Sequence, residues 1–240
     1  MSIKAFYIIP VFNCENTISR CLKSILSINY NINVIIINDK STDNTLNVIE
    51  SIKDKLPYKI FIINNRNNLG ISKSLNNGIE LALKYNPDYI LRLDGDDYNV
   101  QNRTDYQIEF MELNKHLILL TSNAYILKEN IIKNSFINNY KPFLEDYFRP
   151  YTSIISSLDI HPTFIFRTEP FVKYKIRYGN LPNQIFNSEL IKTIKYGIED
   201  LLIINIILYF YGYRSVTRIS HEKLIYYSVN NNGLTPKSKK

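Results

Sequence analysis

Four consecutive residues, Asp94-Gly95-Asp96-Asp97, place three carboxylates within one turn, directly after the apolar run Tyr89 to Leu93. Like charges this close repel one another, so the arrangement is costly unless something positive sits among them. A hard divalent cation, held by one or two carboxylates and shared with substrate phosphates, would relieve that repulsion. A solvated acidic turn, to which Asp-Gly lends itself, accounts for the four residues equally well, so their surroundings must decide. No Gly-x-Gly-x-x-Gly loop follows the first strand, no Walker-type loop occurs anywhere, and 7 glycines in 240 residues supply no glycine-rich cradle. A phosphate bound here would need the metal.

The elements that must carry this cluster show as an alternation. Ile3 to Ile9 reads as a buried strand, and Glu15 to Ile28 carries Ile18, Leu22, Ile25 and Leu26 at helical spacing. Val34 to Ile37 is a second strand, after which Asp43 can cap a helix bearing Leu46, Val48, Ile49 and Ile52. Ile60 to Ile63, Ser72 to Tyr85 and Tyr89 to Leu93 continue as strand, helix and strand. Such alternation is the pattern of βαβ units and predicts an α/β fold with a mostly parallel sheet flanked by helices. Ligands of open α/β sheets bind outside the carboxyl ends of the strands, where this chain has Pro10 to Asn13, Asn38 to Ser41, Asn64 to Asn68 and Asp94 to Asp97. Four polar clusters are expected to converge on one edge. Beyond Asp97 we expect a helix from about Arg103 to Lys115, strands at Leu117 to Ser122 and His161 to Arg167, an apolar helix from Ile198 to Tyr211, and a last strand from Leu224 to Val229.

Composition sets the outer limits. Hydrophobic residues at 45% and charged residues at 21% suit a globular protein with one substantial core and argue against wholesale disorder. The formal charge of +7 includes Lys237, Lys239 and Lys240 of the tail, and the +4 left over suits a phosphorylated ligand or an anionic membrane surface. Scattered lysines more often form a solvated face, and nucleic acid is not required. Cys14 and Cys21 lie seven apart in a predicted helix, a separation of about 10 Å that prevents a direct bridge. Reduced thiols, the absence of a secretory signal pattern at Met1 to Ala5, and an apolar stretch Leu201 to Phe210 too short to span a bilayer predict a soluble cytoplasmic protein, at most peripheral to a membrane. There are no internal repeats and no linker-like segment.

Six segments in order resemble family 2 glycosyltransferases of the GT-A fold. Ile8-Ile9-Pro10-Val11-Phe12-Asn13 with Glu15 resembles the family's opening strand and turn, and Ile36-Ile37-Asn38-Asp39-Lys40-Ser41-Thr42-Asp43 its second-strand motif. Asn68-Leu69-Gly70 with Ser74-Leu75-Asn76-Asn77-Gly78 resembles the third motif, and Arg92-Leu93-Asp94-Gly95-Asp96-Asp97 the D-x-D-D metal motif. His161-Pro162-Thr163-Phe164-Ile165-Phe166-Arg167 is similar to the acceptor-side strand, and Glu199-Asp200-Leu201 to the acidic pair opening the catalytic helix.

The resemblance implies a single GT-A domain over 1–240, with a nucleotide-sugar half at 1–100, an acceptor and catalytic half at 101–235 and a basic tail at 236–240. It implies that Asp39 accepts a hydrogen bond from the base and that Pro10, Phe12 and Asn13 line the nucleotide pocket, with Arg66 and Lys73 as candidate phosphate or base contacts. Asp94 and Gly95 would approach the nucleotide-sugar, and Asp96, with Asp94 and Asp97 as further candidates, would hold Mn2+ or Mg2+ on the diphosphate. Asp200 would be the general base of an inverting transfer, with Glu199, His161 and Arg167 on the acceptor side. The donor would be a nucleotide-sugar, UDP-linked by default, and the acceptor a glycan, lipid-linked or protein hydroxyl.

The chain also departs from the pattern. Asn38 stands where an aspartate is usual and Lys40 where glycine is usual, the Gly-Gly-Tyr-Asp segment before the catalytic helix is missing, and Ser228 and Asn230 hold places that often carry Arg and His. Two other readings fit some of these residues. One is a catalytically inactive GT-A domain that binds carbohydrate or nucleotide. The other is a nucleotidyltransferase, which should show a basic, glycine-rich phosphate loop near the N-terminus, and this sequence has none.

Overall fold

Alternate residues of the first apolar run face opposite ways: Ala5, Tyr7, Ile9 and Val11 enter one buried cluster, Phe6 and Ile8 another. That is the two-residue period of a strand covered on both faces, which is why the run is almost uniformly apolar. The computed structural model describes residues 2–128, 131–133, 161–179 and 199–228. Its first half runs β1 (Lys4–Val11), α1 (Ile18–Lys23), β2 (Asn31–Asn38), α2 (Thr45–Ile52), β3 (Lys59–Asn64), α3 (Ile71–Leu83) and β4 (Tyr89–Arg92). Then come β5 (Tyr98–Asn99), α4 (Arg103–Leu113), β6 (Leu119–Lys128), β7 (Ile131–Lys133), β8 (Ile165–Arg167), α5 (Glu169–Lys173), α6 (Glu199–Tyr211) and β9 (Val216–Ser228).

Among the described residues these strands form one nine-stranded sheet, ordered β3-β2-β1-β4-β8-β6-β9-β5, with β7 on β6. The four strands β3, β2, β1 and β4 are mutually parallel, while β8 runs antiparallel to both β4 and β6. The chain builds outward from β1 to β3 and then returns to place β4 on the other side of β1, so the strand order reverses between β1 and β4. Crevices of α/β sheets open at such a point. Here the β1–β4 pairing stops at Ile8↔Arg92, while β1–β2 continues to Val11↔Asn38. Pro10, which has no N–H to donate, falls in the stretch where β1 has lost its β4 neighbour.

Helices α1, α2 and α4 cover the face of Tyr7 and Ile9, and α3 and α6 cover that of Phe6 and Ile8. Gly78 lets α3 lie close to the sheet: a Cβ there would stand 2.6 Å from Ile8 Cγ2 and 2.8 Å from Ile37 Cδ1. Gly78→Ala is therefore expected to destabilise the fold by about 1–3 kcal/mol through overpacking, although alanine is the better helix former. A urea unfolding curve with a lowered midpoint and unchanged slope checks this.

Three elements differ from the sequence expectation. The helix expected over Glu15 to Ile28 is confined to Ile18–Lys23, and Leu26 and Ile28 are exposed. The chain is drawn off the helical path by Asp105, which accepts hydrogen bonds from Ser27 Oγ at 2.5 Å and the Ile28 amide at 3.0 Å. His161–Thr163 forms a 3-10 turn, leaving only Ile165–Arg167 as strand. β9 begins at Val216, well before the expected Leu224, because its pairing with β6 shifts register around Asn123, which breaks the two-residue alternation. Among the described residues no helix is long and apolar enough to cross a membrane.

Candidate functional site

The carboxylate turn leaves the end of β4, with the Asp97 amide donating to the Asp94 carbonyl at 3.1 Å. Its backbone is held from three sides: Thr17 Oγ1 donates to the Gly95 carbonyl at 2.9 Å, Cys21 Sγ to the Asp94 carbonyl at 3.4 Å, and Ser228 Oγ to the Asp96 carbonyl at 2.6 Å. Gly95 is required by this close approach, since a Cβ would stand 2.7 Å from Val11 Cγ1 and 3.1 Å from Cys14 Sγ. Burial pushes the Cys14 thiol up to about 12 and raises Cys21 as well, so neither supplies a thiolate at neutral pH. Both cysteines are free thiols, Cys14 lying just ahead of α1 instead of inside it.

The three carboxylates have different environments. Asp94 Oδ1 accepts from Arg92 Nη2 at 2.7 Å, in an ion pair whose arginine is 1% exposed and whose aspartate is 24% exposed. Asp96 is half-buried. Asp97 is fully buried; its Oδ1 accepts the Ser228 amide at 2.7 Å, and its Oδ2 has no partner among the described residues. Burial, followed by the charges of Asp96 and Asp94, pushes the Asp97 carboxyl well above the usual range, against the Ser228 amide and Arg103.

Two buried arginines, Arg92 and Arg103, lie beside the turn and offset part of the repulsion among its carboxylates. Arg103 donates to the Arg92 carbonyl at 3.0 Å, to Asn99 Oδ1 at 2.8 Å and to Gln107 Oε1 at 2.8 Å, so its guanidinium is fixed where its charge acts on Asp97. Among the described residues no group of three His, Cys, Asp or Glu side chains makes a ready metal cage. Asp94 and Asp96, both partly open, are hard oxygen donors of the kind a hard cation would take, with its remaining oxygens supplied by a bound ligand.

On the nucleotide side, Asp39 is not a cap for α2. Both of its oxygens gather the loop before α3: Oδ1 accepts from the Leu69 amide and Asn65 Nδ2, each at 2.8 Å, and Oδ2 accepts from the Gly70 amide at 2.8 Å. Asn38 uses an amide where the family pattern has a carboxylate, donating to Asn64 Oδ1 at 3.1 Å and accepting from the Ser41 amide at 3.0 Å. Asn13 Oδ1 accepts the Thr42 amide at 2.8 Å, and its own amide donates to Ser41 Oγ at 3.0 Å, closing the β1 turn onto the β2 loop. Asp43 sits one residue before the helix cap Asn44 and accepts the Thr45 amide at 3.0 Å. Phe12 is 49% exposed beside these loops, and Arg66 and Lys73 are exposed, Lys73 in the first turn of α3.

Lys40 adopts φ +67°, which explains why glycine suits this position. Lys40→Gly is expected to relieve about 1 kcal/mol of left-handed strain, offset by about 0.5 kcal/mol of added chain entropy. Its thermal midpoint should match or exceed that of the parent, whereas Lys40→Val should lower it.

The acceptor-side candidates separate. His161 is buried, with Arg92 Nε donating to its Nε2 at 3.3 Å and the Tyr178 hydroxyl 2.9 Å from the same nitrogen. Arg167 pairs with Tyr89, at the opposite end of β4 from Asp94, and donates to the carbonyls of Leu117 and Met111 and to Tyr89 Oη. The structure therefore does not bring Arg167 to the carboxylate edge; strand direction, invisible in the motif, decided this. Glu199 and Asp200 open α6, whose Ile203, Ile204, Ile206 and Ile207 pack on the sheet, but their side chains lie outside the described residues, as do Asn230 and the tail 236–240. Sequence reasoning missed Tyr178, Asn76 and Arg103 as parts of this neighbourhood. Arg103, a charged residue opening a helix just after an acidic cluster, was the one readable signal.

A model described as Glycosyl transferase family 2 matches residues 7–175. The Escherichia coli UDP-Glc:alpha-D-GlcNAc-diphosphoundecaprenol beta-1,3-glucosyltransferase WfaP is 38% identical over 130 residues, 54% of this chain and 49% of that protein. The crystal structure of S. aureus TarS 1-349 in complex with UDP resembles the fold with a TM-score of 0.65 at 20% identity, over 95% of this chain and 61% of that one. The mannosyltransferase PcManGT from Pyrobaculum calidifontis, solved in complex with GDP-Man and Mn2+, does so with a TM-score of 0.65 at 12% identity, over 96% and 58%. The chain thus spans about half to three fifths of the length of these proteins. At such identities the solved structures speak for architecture, which is the GT-A arrangement. With residues 7–175 matched, from within β1 through the carboxylate turn to the end of α5, the chain belongs to glycosyl transferase family 2.

Proposed function

We propose that this protein transfers a sugar, with inversion, from a nucleotide-sugar to a hydroxyl acceptor. The observation that carries this reading is the carboxylate turn at the β1–β4 switch point, with Asp94 and Asp96 partly open while their backbone is fastened by Thr17, Cys21 and Ser228. Loops after β1 and β2 lie along the same edge, and Phe12 offers an exposed ring beside Asp39 for the base. A UDP-linked donor is supported by the UDP in the name of the E. coli relative and in the TarS complex, and the relative's diphosphoundecaprenol acceptor supports a lipid-linked acceptor over a free glycan or a protein.

In this reading Mn2+ or Mg2+, when bound, neutralises the charge that builds on the departing diphosphate. Asp96 and Asp94 would hold it. Asp200 takes the proton from the acceptor hydroxyl as that oxygen forms its bond to the anomeric carbon, on the face opposite the nucleotide, whose own bond to that carbon breaks. One carboxylate suffices because the diphosphate leaves without needing a proton, unlike the leaving group of a glycosidase. The test is turnover of a panel of nucleotide-sugars with and without Mn2+. Cation-dependent release of a nucleoside diphosphate is expected; no turnover of any donor together with no cation-dependent nucleotide binding sinks the reading.

A further inference from the structure

The guanidinium of Arg92 is the hub of a buried chain of polar contacts that reaches from the carboxylate turn to α3. Its Nη2 donates to Asp94 Oδ1 at 2.7 Å, its Nη1 to the Ile8 carbonyl at 2.9 Å, and its Nε to His161 Nε2 at 3.3 Å. The Tyr178 hydroxyl lies 2.9 Å from that same imidazole nitrogen. Tyr178 is in turn fixed by a two-way clamp, its amide donating to Asn76 Oδ1 at 2.9 Å and its carbonyl accepting from Asn76 Nδ2 at 2.8 Å. Arg92, His161 and Tyr178 are 1%, 6% and 2% exposed, so little water competes for these bonds.

A carboxylate on a short side chain can meet a cation through one oxygen or through both. Ca2+, large and tolerant in geometry, accepts either; Mg2+ and ions of similar size demand near-octahedral placement, which a single directed oxygen satisfies. The Arg92 fork engages Asp94 Oδ1 and leaves the other oxygen to a ligand. A lysine would keep the charge but not the rigid fork whose separate N–H groups reach Asp94, Ile8 and His161 at once.

We propose that Arg92, braced by His161, Tyr178 and Asn76, is a positioning residue that restricts Asp94 to one-oxygen contact and so makes the site select small divalent cations over Ca2+. The inference rests on the reading that Asp94 and Asp96 face the cation. It concerns selectivity among cations, which the presence of acidic residues alone does not set.

The test measures binding of Mn2+ and of Ca2+ to the whole chain in the presence of UDP, by calorimetry and by the Mn2+ paramagnetic resonance signal. Arg92→Lys is expected to weaken Mn2+ by about tenfold or more, the usual effect of losing a group that orients a ligand, with Ca2+ weakened much less. The Mn2+ to Ca2+ preference then narrows. Tyr178→Phe removes a single hydroxyl and keeps the Asn76 clamp, so it should fold as the parent does and narrow the preference in the same direction by a smaller factor. It carries the test if Arg92→Lys fails to fold. An unchanged ratio, or equal losses for both cations, overturns the inference while leaving the transferase reading intact. Absence of Mn2+ binding by the parent chain with UDP overturns the inference together with its premise that Asp94 and Asp96 face a cation, while the transferase reading is decided separately by the donor-turnover panel.

Discussion

Asp96→Asn is expected to remove cation-dependent donor turnover, lowering kcat by about 10²–10³, or about 3–4 kcal/mol of transition-state stabilisation. The substitution keeps the size of the side chain, and the backbone of the turn is fastened through carbonyls by Thr17, Cys21 and Ser228, so the thermal midpoint should stay near that of the parent. Mn2+ binding in the presence of UDP should be lost in parallel with activity. Asp97→Asn is the informative companion. Asp97 is buried and accepts the Ser228 amide, which an asparagine oxygen can still do, so this variant should retain more cation binding than Asp96→Asn. The opposite order would move the chief metal role from Asp96 to Asp97.

Asp200→Asn should retain donor and nucleotide binding while sugar transfer falls by about 10²–10⁴, the contribution typical of a positioned base. Asp200 is the second residue of α6, and an asparagine is tolerated near a helix start, so the helix itself should survive. Equilibrium binding of UDP and transfer rate, measured on the same preparation, separate the two effects. Transfer at the parental rate would remove Asp200 from the role of base and leave it as a helix-terminal charge that favours the dipole.

Much of the first half of the chain was readable from residues alone because its strands are covered on both faces and its helices on one. Runs such as Ile35 to Ile37 and Ile90 to Leu91 have no alternative but burial, and the polar segments that follow them must then lie along one edge. What failed failed for stated causes. The first helix was overextended because Leu26 and Ile28 keep helical spacing yet are exposed, the chain there answering to Asp105 far along the sequence. Arg167 looked like a site residue because it closes a motif, but the antiparallel run of β8 carries it to the far end of β4.

The sequence by itself determined that three carboxylates end a buried parallel strand beside a polar turn from β1 and another from β2, since those facts depend on local pattern and on the direction of βαβ connections. Only the tertiary structure decided how those carboxylates differ. Asp94 meets Arg92 only two residues before it, but that arginine is fixed by the Ile8 carbonyl of β1 and by His161; Asp97 is buried against Ser228 of β9, distant in sequence; and Arg103 offsets only part of the charge at Asp97, because packing that no spacing rule encodes sets these positions. Asp39 shows the same division: its place after β2 was legible, but its hold on the amides of Leu69 and Gly70 depends on α3 crossing the sheet close enough for a carboxylate to reach.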